Sequence, residues 1–418
     1  MLIDVARRSG IDIAFCSVDS ARNFDVVLVS LTSVYDVLSF YQQVRPHPDW
    51  REGYRRFRVL VGGFGCQNPL PMFGFADAFW FGRCENEFVQ LLRDHDFEHP
   101  SLMRSGEVRM CRINQSNTLY PHAVELKTGI NGHDNYQESI MGCPNKCLFC
   151  HYSFSRKYIK TSEHYNLSQY GNGHTQELDM FNLDELSPHC AQITIGMDGI
   201  SERLRFLVNK PISDEKVKDT ILRISNETQI KGEAVFLKLY NIIGYESESE
   251  EDYEAFKMLF QGLTDRMRKR VIVIIHSTPL HPSPATPLVF SAVNLHTTFG
   301  AKRGSVIYDS GDKLLVLHSR YNASNWATLE ALVVERYTEQ YHALLDLLCF
   351  NKKFQSQKAD WKIKYVEDKY DITDLTRAYD VEERVPTWFL ESYMGWPLIK
   401  AMRARMLAKM QEGQLRKD

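Results

Sequence analysis

The chain has no long apolar run. No stretch reaches the ~18 uncharged apolar residues that a membrane-spanning helix needs, and the opening MLIDVARRSGIDIAFCSV has no apolar signal core. The expected location is the cytoplasm, with no membrane partner. Nor is there a marked excess of charge: 50 Lys and Arg against 53 Asp and Glu leave a net −3, without a global electrostatic footprint for nucleic acid or an anionic membrane surface. A cysteine framework is missing too. The nine cysteines are odd in number, and Cys16, Cys66, Cys84, Cys111, Cys190 and Cys349 stand singly. That excludes the disulfide scaffold of a small secreted domain and favours reduced thiols around one metal or cluster site. The sequence also lacks a Gly-x-Gly-x-x-Gly fingerprint, internal repeats and low-complexity tracts.

What is present is a globular composition, 44% hydrophobic and 25% charged. A length of 418 residues predicts two domains and an appended segment. Apolar runs alternate with helical patterns in the first hundred residues: IDIAFCSV, FDVVLVSL, FRVLVGGFG, then ADAFWFG before ENEFVQLLRD. Such runs suit a parallel sheet buried on both faces, so residues 1–105 are expected to form a Rossmann-like α/β domain. Gly62 and Gly63 follow the strand FRVLV, at the carboxyl edge where open α/β sheets receive ligands. A tight strand-to-loop turn is the alternative reading of the pair. From the cysteine group onward, AQITIGM, AVFLKLYNIIG and RVIVIIHS alternate with helical stretches. Right-handed crossovers would wind these β/α units into a parallel barrel or open partial barrel over residues 106–300. Residues 301–418 read as mainly helical, a substrate or capping region.

The chemistry is carried by MGCPNKCLFCHYS, which sets Cys143, Cys147 and Cys150 in a C-x3-C-x2-C spacing on a loop. Three thiolates can hold three irons of a [4Fe-4S] cubane and leave the fourth open. S-adenosylmethionine (SAM) can chelate that iron, and an electron from the cluster can then release a 5′-deoxyadenosyl radical that attacks unactivated carbon. A structural zinc site with His151 as fourth ligand is the competing reading, although zinc sites usually pair C-x2-C with a distant second pair. Phe149, beside the last cysteine, suits either the core or the adenine of SAM.

These residues, with their surroundings from about 138 to 290, resemble the radical SAM enzymes, particularly members with an N-terminal cobalamin-binding-like domain. The resemblance extends to ITIGMDGISERLRFLVNK, to FLKLYNIIGYESESEED and to IIHSTPLHPSPATPL with Thr286-Pro287. It implies a partial (β/α)6 barrel and a transferase or lyase that binds a [4Fe-4S] cluster and SAM. Asp198, Ser201 and Arg203 are its implied contacts to the ribose and carboxylate of SAM, and Gly244 and Glu248 those beside the adenine. Ser201 also reads as a helix N-cap. Flavodoxin or ferredoxin is the expected electron donor.

Two departures stand out. The Asp-x-His-x-x-Gly motif that gives cobalt its lower ligand is absent, so cobalamin is left open as a cofactor; Phe64, Phe79, Trp80 and Phe81 are large enough to fill a corrin's space. The Gly-Gly-Glu stretch of the first barrel strand is missing, and QELDM with Glu177 stands in its place. Alternative functions are cobalamin-dependent radical methyl transfer, methylthiotransferase-like sulfur insertion with Cys66, Cys84 and Cys111 on a second cluster, and a nucleic-acid-associated protein with a structural metal. The last draws on the basic C-terminus and on WKIKY at Trp361–Tyr365. The aromatic-rich tail would stack bases or dock a terminal helix. The substrate is left among a modified nucleobase, a peptide and a small metabolite.

Overall fold

Two mixed α/β sheets order the chain. The computed structural model describes residues 1–122, 124–128, 132–136, 138, 140–160, 169–170, 173–177, 192–297, 304–319 and 325–415, without the side chains of 124–128, 132–136, 169–170, 173–177 and 413–415. In the first sheet β1 (Val26–Ser30), β2 (Arg58–Gly62) and β3 (Ala78–Trp80) run parallel in chain order, and β4 (Leu102–Arg104) pairs antiparallel with β3. β-branched side chains make these strands: Val27 pairs with Val59 and Val29 with Val61. The helix Val34–Val44 between β1 and β2 starts at a capping box of Ser33 and Asp36. It buries Val34, Val37, Tyr41 and Val44, a stripe at helical spacing.

The run IDIAFCSV forms no strand. Phe15 is 94% exposed. Apolar alternation yields a strand only where a neighbour completes the backbone ladder, and none does so here.

The second sheet has seven strands, in the order Gln169–Tyr170, Gly173–Glu177, Gln192–Gly196, Ala234–Ile243, Arg270–Pro279, Leu314–His318, Val306–Asp309. The middle five are parallel and in chain order, while the outer two pair antiparallel with their neighbours. The boundary expected at residue 300 falls inside this sheet, because the hairpin of Val306–Asp309 and Leu314–His318 adds its last parallel strand. Helices Glu202–Leu207, Asp214–Glu227 and Glu250–Leu259 lie between successive strands. Right-handed crossovers between neighbours put such helices on one face. Val235, Leu237, Leu239, Val271, Val273 and Ile275 are buried together with residues of these helices. The alternate residues point the other way and stay partly open, with Phe236 41% and Tyr240 37% exposed.

The C-terminal region is mainly helical, but it does not serve only the second sheet. Helices Asn325–Glu335, His342–Phe350 and Ala359–Lys369 share one core with the first sheet. Tyr41 Oη donates to Asp346 at 2.7 Å, and Asn68 Nδ2 to the carbonyls of Glu335 and Tyr337 at 3.1 and 3.2 Å. The helix Trp396–Leu415 reaches the second core through Met402, Met406 and Met410. Phe389 is fully buried, whereas Trp361 is 47% exposed and stacks on Tyr365. Among the described residues, no helix is long and apolar enough to cross a membrane.

Candidate functional site

The loop carrying Cys143, Cys147 and Cys150 lies at the carboxyl edge of the parallel strands, tied to the segments through which the chain leaves them. Leu148 N donates to Val208 O at 2.9 Å, and Leu288 N, after the strand Arg270–Pro279, donates to Leu148 O at 3.1 Å. Asn209 Nδ2 holds the carbonyls of Asn145 and Lys146 at 2.7 and 3.1 Å. The chain enters the loop through Gly142, at φ +70°, where a Cβ would stand 2.4 Å from Lys157 O. Only glycine fits so close an approach. Cys150 precedes the short helix His151–Ser155. His151 Nδ1 lies 2.8 Å from Pro284 O, and burial lowers the pKa of the ring to about 4. It is thus fixed as a neutral packing residue against Phe64, whose ring centroid is 5.1 Å away.

Cys147 is 5% exposed. Burial pushes its thiol well up, Lys210 pulls it back, and Cys150, Asp198 and Cys143 push it up further. Cys147 is therefore close enough to feel the other two cysteines, Asp198 and Lys210. Lys210 Nζ pairs with Asp198 Oδ2 at 2.7 Å, and both groups are largely buried. Tyr245 Oη donates to Asp198 O at 2.7 Å. A cation and an acceptor carboxylate thus stand beside a thiol that ionises readily only with a positive partner or a metal.

The other expected contacts are spent inside the protein. Ser201 caps its helix, accepting from Leu204 N at 3.2 Å, and donates to Asp252 Oδ1 at 2.5 Å. Arg203 grips both oxygens of Asp252, at 3.0 and 2.5 Å, and donates to Ser247 O at 2.6 Å. In this structure its fork is taken up by Asp252 and Ser247. Glu248 accepts from Gly244 N at 2.5 Å, from Tyr245 N at 3.1 Å and from Tyr253 Oη, so it staples the turn. Gly244 holds that turn at φ +87°. Phe149 packs partly buried against the second core. Glu177 pairs with Gly196 by backbone register; its side chain and Cys190 lie outside the described residues. Sequence reasoning missed Lys210, Tyr245 and Asp252. The last was legible as the fourth residue of the capping box opened by Ser249.

Gly63 sits in the tight strand-to-loop turn that is the alternative reading of the Gly62-Gly63 pair. A Cβ on Gly63, at φ +100°, would sit 2.2 Å from Leu31 O, because the chain after β1 already lies there. β1, β2 and β3 follow one another without a reversal of order, so the sheet has no switch-point crevice. The cavity at this edge, between Phe64, Phe81, His151 and Arg156, holds about 60 Å³. That is room for a water or two. Cys66 and Cys111 are buried in the first core and Cys84 packs in a separate cluster. Burial raises their thiols to about 12, 11 and 12 in turn, as for small buried hydrophobes. None of the eight described cysteines is in a disulfide. Among the described residues no group of three or more His, Cys, Asp and Glu converges tightly enough to hold a metal ion. No family model matches the chain, and no curated protein matches its sequence.

Proposed function

We propose that the chain is a radical SAM enzyme, in which Cys143, Cys147 and Cys150 each hold one iron of a [4Fe-4S] cluster and SAM takes the fourth. The reading is carried by one observation: three cysteines in C-x3-C-x2-C spacing on a short loop at the carboxyl edge of five parallel strands in chain order, with the Lys210–Asp198 pair close enough to act on Cys147. A cubane takes each thiolate on a different iron, so the thiols need to ring a cluster and not to converge on one point. With the helices Glu202–Leu207, Asp214–Glu227 and Glu250–Leu259 packed on one face, we read the seven-stranded sheet as an open partial barrel and the four-stranded unit as Rossmann-like in form.

When bound, the cluster and SAM supply the electron transfer and the 5′-deoxyadenosyl radical. The chain's own residues do the rest. Lys210 offsets the negative charge of the thiolates, and Asp198 offers its remaining lone pairs to ribose hydroxyls. Burial of Cys147 keeps water from the cluster side of the loop. Glu248, through the backbone amides of Gly244 and Tyr245, holds the neighbouring turn in shape. A one-electron donor of the flavodoxin or ferredoxin class completes the reaction.

The test is anaerobic reconstitution with iron and sulfide, followed by visible absorbance, iron content and 5′-deoxyadenosine formation from SAM under a strong reductant. About four irons per chain and 5′-deoxyadenosine are expected for the wild type, and neither for Cys143→Ala, Cys147→Ala or Cys150→Ala. Undiminished iron and 5′-deoxyadenosine in any one variant would overturn the assignment.

A further inference from the structure

A parallel strand in the middle of a sheet is normally covered on both faces and built of aliphatic residues. The strand Ala234–Ile243 breaks this rule on one face, where Phe236, Lys238 and Tyr240 succeed one another partly open to solvent. On the next strand His276 is paired with Tyr240 by register and meets its ring edge to face, centroids 5.1 Å apart at 82°. On the strand before, the residue in register with Tyr240 is Gly196. Having no side chain, it leaves that flank of the tyrosine uncovered. Lys238 Nζ stands 4.8 Å from the Tyr240 centroid and has no ion-pair partner among the described residues. His276 Nδ1 is buried without a hydrogen-bond partner, and the charges that act on its ring, after burial itself, are those of Lys238 and His318.

We infer that this face is a binding site for a planar ring carrying an oxyanion, phosphate or carboxylate, with Lys238 and His276 taking the anion and Tyr240 and Phe236 the ring. The physical case is one of complements. An ammonium with no ion-pair partner among the described residues gains from an anion, and the half-buried His276 ring beside it offers its other nitrogen as a second contact. Exposed aromatic faces gain from a flat ring and are costly to leave in water. Ile272 and Ile274, in the alternate positions of the next strand, extend the apolar floor. That the ring-bearing anion is the enzyme's substrate rests on the radical SAM reading; that it binds does not.

The probes are phenyl phosphate, benzoate and the neutral benzyl alcohol, titrated calorimetrically into the full chain as purified, without SAM or added iron. At least one anion should bind about tenfold or more tightly than the alcohol, since a charge-assisted hydrogen bond is worth at least that factor. Which anion binds better distinguishes a phosphate from a carboxylate substrate. Lys238→Gln and His276→Phe should each lower that affinity about tenfold while the thermal midpoint stays unchanged, and SAM in excess should not displace the probe. Equal binding of the alcohol, no binding of either anion, or an affinity untouched in the folded Lys238→Gln variant would each overturn the site. Displacement of the probe by SAM would also overturn it, because the face would then belong to the cofactor. None of these outcomes depends on the cluster, so failure here and failure of the cysteine assignment are read separately.

Discussion

Asp198 is the carboxylate that the fold brings to the thiols. It is held at φ +57°, paired through one oxygen with the buried Lys210 and fastened at its carbonyl by Tyr245. That leaves acceptor capacity on an oriented group. Asp198→Asn keeps the shape and removes the charge, so it should retain the iron absorbance of the reconstituted protein while weakening SAM binding about tenfold. Loss of the iron with unchanged SAM affinity, read from equilibrium binding and iron content, would contradict this role. A second residue-scale test concerns Gly63. Its positive φ and the backbone of Leu31 both forbid a side chain, whereas Gly10, also at positive φ, has nothing within 4 Å of a Cβ. Gly10→Ala should cost only the left-handed strain, about 1 kcal/mol, and Gly63→Ala should cost about 3 kcal/mol or more because backbone must also move. Urea unfolding of the two variants measures the difference, and equal costs would show the turn to be soft.

At the scale of elements, the junction between the helices Glu202–Leu207 and Glu250–Leu259 depends on Asp252. This carboxylate is 4% exposed. Burial works to raise its pKa, but hydrogen bonds from Arg203, Ser201 and Ser249 outweigh it and hold the group below its ordinary value. A carboxyl depressed in the folded state stabilises above its unfolded pKa and loses that contribution as pH falls through the folded one. Asp252→Asn should therefore be less stable than wild type at pH 7 by about 2 kcal/mol, a modest figure because Arg203 is half exposed and water screens it. The gap should close in acid, below about pH 4. A gap independent of pH in chemical unfolding would assign the loss to packing. The capping box behind this junction was legible in the sequence, as were the strands that became β1, β2 and the core of the seven-stranded sheet, because valine- and isoleucine-rich runs carry their own signal. The occupancy of Arg203 was not legible. A fork looks the same in sequence whether it meets a ligand or an aspartate 49 residues away. IDIAFCSV misled for a related reason: its apolar pattern is local, while the neighbouring strand that would have completed it is a property of the whole sheet.

The C-terminal helices show how far the whole molecule departs from domains strung in order. Residues after Asn325 share a core with the first sheet, and Arg403 in the last helix pairs with Glu246 on the turn beside the candidate site. The four-stranded unit is therefore braced from its helix face by the tail and at its carboxyl edge by the helix after Cys150, where Phe64 meets His151. A unit enclosed in this way would have to open to admit a macrocycle. Opening a corrin-sized cleft would expose Phe79, Phe81 and Met72, each at most 2% exposed now, at a cost of about 1.5–3 kcal/mol per side chain. It would also move the backbone of residues 31–33, against which Gly63 and Gly65 are packed. The expected result of expression with ample cobalamin is protein without stoichiometric corrinoid by absorbance, with its iron content unaffected by the supplement. If corrinoid copurifies at one per chain and survives gel filtration, the edge must open in solution, and the reaction would shift from direct hydrogen abstraction toward methyl transfer. Phe64→Ala gives an independent check. Removing the ring that closes the edge should not create corrinoid binding, because the glycine packing still seals it, but it should loosen the helix that follows Cys150. Faster loss of iron to a chelator in that variant, with binding of cobalamin still absent, is the outcome that a closed, bracing N-terminal unit requires.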